Sequence, residues 1–139
     1  MKVRILYRIS SVLLLLFAVG HGYGFRQNVP EWGADAVLEC MRAVRFDAQG
    51  FNRTYWDFFS AFGLYFSVFL LFAAALAWVL SRLPEEILVR VRSIAWALAI
   101  CFVAITALTW RYAFTTPLIF SSLITVCLIA AAWFSAKLG

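Results

Sequence analysis

Long apolar runs alternate with short polar stretches along this chain, the runs falling at about 5–25, 55–80, 93–113 and 117–136. About 20 apolar residues, rising about 1.5 Å each, cross a hydrocarbon core of about 30 Å, so every run predicts a transmembrane helix. The second is the longest, roughly 39 Å as a helix, and either tilts or leaves its first turns at the membrane interface, with Tyr55 and Trp56 as interfacial anchors. Pro117, after Thr115 and Thr116, sits where proline is tolerated, in the first turn of the fourth helix. The only long polar stretch is 26–53, which carries the turn-formers Asn28, Pro30, Gly33 and Gly50. Within it Val37, Leu38, Met41 and Val44 recur at helical spacing while Asp35, Glu39 and Arg42 take other faces. That pattern predicts a short amphipathic helix lying on the bundle or on the lipid surface. The expected fold is therefore all-α: a single four-helix transmembrane bundle over 1–139, with one amphipathic helix in its first extracytoplasmic loop.

Composition agrees with a membrane location. The 139 residues are 65% hydrophobic, 18% aromatic and 14% charged, whereas soluble domains are about half apolar and about a quarter charged. A net charge of +5 leaves too few basic residues for a nucleic-acid surface, and its use is to set topology. Seven Lys and Arg fall at the two termini and in the second loop, against five in the first and third loops. This places both termini in the cytoplasm of a multi-pass protein of the cell inner membrane. Lys2, Arg4 and Arg8 followed by a leucine run also suit a signal peptide cleaved after Ala18-Val19-Gly20. An uncleaved helix is preferred, because apolar character continues through Tyr23 and Phe25 and Gly20-x-x-x-Gly24 offers a small face for helix packing.

The three cysteines, Cys40, Cys101 and Cys127, are widely spaced and form no C-x-x-C pair, which argues against thiol–disulfide chemistry. Cys101 and Cys127 read as small core residues.

The polar groups with chemical potential gather at the outer end: His21, Asn52, Arg53, Thr54, Asp57, Arg111, Thr115 and Thr116. Ionisable groups near a span are costly unless paired or hydrated, so their clustering invites a functional reading. Thr54 and Asp57 have capping-box spacing, and Arg53 could pair with Asp57 across the first turn. Arg111, between Trp110 and Tyr112, suits a helix carboxyl end at headgroup level. The functional alternative makes Arg53 and Arg111 a rim for a carboxylate, phosphate or lipid headgroup.

His21, the single histidine, could bind or shuttle a proton if a carboxylate such as Asp57 lay beside it. Counting from Arg8 puts His21 about 10 Å below the outer hydrocarbon edge and Asp57 at or above that edge, too far to touch. An inner boundary nearer Arg4 would shrink the gap to a few ångströms. One histidine gives no bis-His haem within a single chain, and a metal would have to recruit Asp57, Glu39 or Cys40 without a motif. No cofactor or metal is expected. Thr106, Thr109, Ser122 and Thr125 are weak candidates for a proton path, which disfavours transport. Phe58, Phe59, Phe62, Tyr65, Phe66, Phe69 and Phe72 either line a groove for a quinone, sterol or acyl chain or face lipid and pack the bundle.

His21-Gly22-Tyr23-Gly24-Phe25, then Met41, Phe46, Gly50 and Arg53-Thr54-Tyr55-Trp56-Asp57-Phe58-Phe59-x-x-Phe62-Gly63-Leu64, resemble a group of small, uncharacterised bacterial four-helix integral membrane proteins. The resemblance runs over the whole length and implies fold and membrane location; it carries no reaction or cofactor. The leading expectation is a non-enzymatic membrane protein that binds membrane lipid, another lipid-soluble small molecule, a membrane protein partner or a second copy of itself. Its ligand-binding candidates are Arg53, Arg111, Tyr55 and Trp56. The rival is a membrane enzyme on a lipid-soluble substrate, with His21 and Asp57 as catalytic candidates, and a third reading is an accessory subunit of a membrane complex.

Overall fold

The computed structural model describes residues 2–27 and 29–137; Asn28, one of the expected turn-formers, lies outside the described residues. The chain is overwhelmingly helical, with α1 (Lys2–Gly24), α2 (Asp35–Ala43), α3 (Tyr55–Arg82), α4 (Glu85–Arg90), α5 (Arg92–Tyr112) and α6 (Thr115–Ala136). Four of these, α1, α3, α5 and α6, are long and apolar enough to cross a membrane, as a multi-pass membrane protein requires. Their bounds fall within a few residues of the apolar runs, because hydrophobic run length sets helix length once the surrounding medium is lipid.

A hairpin and two short helical pieces, a 3-10 turn at Pro30–Trp32 and α4, were not expected. Within the polar stretch, β1 (Arg45–Ala48) and β2 (Phe51–Thr54) form an antiparallel hairpin that pairs Arg45 with Thr54 and Ala48 with Phe51. Gln49 and Gly50 link them with φ of 57° and 88°, the left-handed pair that matches the twist of a two-residue hairpin. Asp47 Oδ1 accepts the Gly50 amide at 2.9 Å. Residues 81–92, expected as plain loop, contain α4, whose Glu85 and Glu86 suit the positive end of a helix.

The chain divides into two compact units, and α1 and α3 each contribute residues to both. The first comprises the described residues of Met1–Phe17 and Leu70–Gly139. Its core combines small residues (Ala73, Ala77, Ala99, Ala131, Ala132) with Tyr7, Leu14, Leu70, Phe102, Ile124 and Leu128. Among lipid tails an apolar side chain gains little by moving onto a neighbouring helix, so close backbone approach and hydroxyl bonds supply the cohesion. Ser11 Oγ donates to the Ala74 carbonyl at 2.8 Å, Thr125 Oγ1 to that of Phe102 at 2.9 Å, and Tyr7 meets Ser135 at 3.5 Å. Thr106 meets Thr125 at 2.8 Å and Thr109 donates to the Ile105 carbonyl of its own helix at 2.7 Å, so three of the four hydroxyls weighed for a proton path are engaged in hydrogen bonds within the protein. Cys101 and Cys127 are half-buried and Cys40 is exposed.

The covered stripe of α1 is Val3, Tyr7, Ser10, Ser11, Leu14, Phe17 and Ala18, the spacing of one helical face. Continued, that stripe reaches His21, Gly22 and Phe25. Gly20 and Gly24 fall off it, and a Cβ on either would meet no atom within 4 Å. The expected Gly20-x-x-x-Gly24 packing face is thus corrected: Gly22 makes the close approach, 3.5 Å from an added Cβ to Ser67 Oγ.

Candidate functional site

The second unit, Ala18–Phe69, holds the end of α1, the polar stretch and the start of α3. Its helix entrance is built locally. Thr54 is the residue before α3, and its Oγ1 accepts the Asp57 amide at 3.2 Å while Asp57 Oδ2 accepts the Thr54 amide at 2.8 Å. This reciprocal pair is the capping box expected from the spacing. It occupies the Asp57 carboxylate in structure, while Arg53 turns to the Phe51 ring, 5.4 Å from its centroid, and donates to the Asn52 carbonyl at 3.3 Å.

His21 lies nearly three turns farther along α3, level with Ser67. Its Nδ1 is 3.0 Å from Ser67 Oγ, and Ser67 donates its hydroxyl to the Gly63 carbonyl at 3.2 Å. With the Ser67 hydroxyl donated to Gly63, the Ser67 oxygen is left to accept from an imidazole N–H at Nδ1. Ser67 is ten positions after Asp57 in the same helix, about 15 Å along its axis. His21 and Asp57 therefore occupy different levels, as the depth counted from Arg8 implies, and they do not form a proton-sharing pair.

The His21 ring opens a ladder of aromatic contacts. It packs edge-on against Phe66, with centroids 4.9 Å apart, and stacks on Phe25 at 5.2 Å. Phe25 tilts against Phe59 at 5.9 Å, and Phe59 against Trp56 at 5.5 Å. Arg42, from α2, lies over the Trp56 ring at 4.2 Å. Trp56, Phe59, Gly63, Phe66 and Ser67 recur at three- and four-residue steps, so one face of α3 carries the whole series. Gly63 is the point where Phe25 lies on the helix: a Cβ there would collide with the Phe25 ring.

This arrangement divides the aromatic run. Phe59 and Phe66 belong to the ladder, whereas Phe62, Tyr65 and Phe72 are 68%, 67% and 63% exposed. On α2, Leu38 and Met41 are half-covered and Arg42 reaches Trp56, while Val37 and, just past its end, Val44 stand exposed. The amphipathic face is therefore narrower than its sequence pattern suggested, because the Arg42–Trp56 contact fixes which side of α2 turns inward.

Beside the ladder is a cavity of about 110 Å³, walled among the described residues by Phe25, Val29, Trp32, Ala34, Leu38, Trp56 and Phe59, with Arg26 and Gln27 also lining it. Arg26 donates to the Gly22 carbonyl at 3.5 Å and lies 5.4 Å from the Phe25 centroid. Of the four expected ligand-binding residues only Trp56 lines this cavity. Tyr55 packs on Phe46 of the hairpin at 4.9 Å, Arg53 faces Phe51, and Arg111, in the other unit, lies over Tyr112 at 5.2 Å. Phe25, Arg26, Trp32, Arg42, Gly63 and Ser67 were not singled out as site residues. A readable signal was the matched spacing of His21 with Phe25 and of Gly63 with Ser67, both one helical turn apart. No group of three or more His, Cys, Asp or Glu suited to a metal is found among the described residues. Comparison with protein-family models, with curated proteins and with solved structures finds no match.

Proposed function

We propose that this chain is a non-enzymatic bacterial inner-membrane protein, its four spans assembled as a bundle with both termini cytoplasmic, that holds a lipid-like ligand at its outer end. The aromatic-walled cavity with a polar margin carries this reading: ligand sites combine apolar walls with a few placed polar groups, and the cavity has both. Tryptophan and arginine at headgroup level support it, since such side chains share an apolar body and a polar tip. An enzyme with His21 as acid–base has weaker support. The Ser67 hydroxyl is committed to the Gly63 carbonyl, and Asp57 is committed to its cap.

Native mass spectrometry of protein extracted from its own membrane tests the reading. A retained amphiphile should be lost when Ala34→Phe fills the cavity and kept in Tyr112→Phe. A wild-type protein that carries nothing, or an Ala34→Phe protein that keeps its ligand while folded, would refute it. A partner protein retained in the ligand's place would favour the accessory-subunit reading. Orientation has its own check: exposed Cys40 should react with a membrane-impermeant maleimide from the outer side only.

A further inference from the structure

The ligand reading leaves the chemical class open, and three observations at the cavity narrow it. Of the four aromatic side chains that line the cavity, two carry guanidinium groups, Trp56 beneath Arg42 at 4.2 Å and Phe25 beneath Arg26 at 5.4 Å. A quaternary ammonium or amine would meet two like charges there instead of an open aromatic cage. Next, Arg26 lines the cavity, yet its polar contact is a long one, 3.5 Å to the Gly22 carbonyl. No carboxylate pairs with it among the described residues, and a planar fork of five N–H donors faces little protein demand. Glu31 and Asp35 neighbour the lining segment, but neither lines the cavity. Finally, about 110 Å³ is smaller than the roughly 300 Å³ at which drug-sized sites begin. It is comparable with the ~150 Å³ apolar cavity that accepts one benzene ring. Space exists for a compact head and a few carbons, and a two-chain lipid cannot enter.

Resting on the reading of this cavity as the ligand site, we infer that its occupant is a long-chain carboxylate of the fatty-acid type. The carboxylate lies on the Arg26 fork, with the first carbons between Trp32, Trp56 and Phe59. The remainder of the chain runs out into lipid. Carboxylate geometry matches a guanidinium with two parallel hydrogen bonds, and an acyl chain is an apolar body suited to aromatic walls.

The full chain, reconstituted in phosphatidylcholine vesicles, would be photolabelled with a fatty acid bearing a diazirine near its carboxylate, in parallel with the alcohol of the same chain. The acid should label peptides containing Trp32, Trp56 or Phe59 at least about tenfold more than the alcohol, the ratio of one charge-assisted pair. Arg26→Gln should bring acid labelling down to the alcohol's level, Arg26→Lys should retain part of the preference, and Arg45→Gln should leave it intact. Circular dichroism of each variant separates lost binding from lost fold. Equal labelling by acid and alcohol at these peptides, or a folded Arg26→Gln that keeps the preference, would overturn the carboxylate assignment while leaving the cavity as a ligand site. Labelling at none of these peptides by either probe would overturn both.

Discussion

Gly63→Ala adds one methyl group at the place where Phe25, the residue after α1, lies on α3, and its outcome can be worked from the surrounding contacts. The new Cβ would collide with the Phe25 ring. That ring cannot move aside without leaving His21, on which it stacks at 5.2 Å, and Phe59, which it meets at 5.9 Å. Aromatic pairs of this kind are worth about 0.5–1.5 kcal/mol each, so displacing the ring from both costs about 1–3 kcal/mol. Alanine returns up to about 1 kcal/mol over glycine in a helix interior. The net expectation is a loss of up to about 2 kcal/mol. Gly20→Ala provides the opposite sign in the same unit, because a Cβ there meets nothing within 4 Å and only the propensity gain remains. Equilibrium unfolding in mixed micelles, followed by far-ultraviolet circular dichroism, should place the two variants on either side of wild type. In a Phe25→Ala background the penalty at Gly63 should vanish, since the collision partner is gone. A Gly63→Ala protein as stabilised as Gly20→Ala would show that Phe25 does not lie on α3, and the aromatic ladder would fall with it.

Thr54→Ala and Asp57→Ala should each destabilise by about 1 kcal/mol through loss of the capping box, and the double variant should cost little more than either, as measured by the same unfolding assay. Asp57→Asn and His21→Ala, by contrast, should be additive, because about 15 Å of helix separates the two sites; a coupling above about 0.5 kcal/mol would contradict that separation. Ser67→Ala should cost about 0.6 kcal/mol, the average for a hydrogen bond between membrane helices, and should shift the His21 imidazole resonances in a nitrogen-15 spectrum; unchanged resonances would refute the Nδ1 contact. At the hairpin, Gln49 holds φ of 57°, a conformation that asparagine and glycine adopt with less strain. Gln49→Asn should therefore slow amide exchange in β1 and β2, and faster exchange would count against the turn.

The four apolar helices were legible because the membrane imposes one requirement, an unbroken run of about 20 apolar residues, that any reader of the sequence can see. The capping box was legible for a similar reason: Thr54 and Asp57 reach each other's amides within one turn, with no help from the rest of the chain. The hairpin was only faintly visible, since Gln49-Gly50 is a weaker turn signal than asparagine-glycine and its two strands are four residues each. α4 was missed because six residues leave too short a pattern for periodicity to register.

What the sequence by itself determined depends on neighbours in the chain: which four segments form long apolar helices, and where α3 is capped. Only the tertiary structure decided partners. His21 faces Ser67 rather than Asp57, Phe25 lies on Gly63, Arg42 covers Trp56, and Arg26 lines a cavity that no local pattern announces. Each pairing joins residues from different elements, and its geometry depends on the rotation of one helix against another. That rotation is settled by small residues such as Gly22 and Gly63, whose missing side chains write no hydrophobic period into the sequence yet set how closely two backbones can approach.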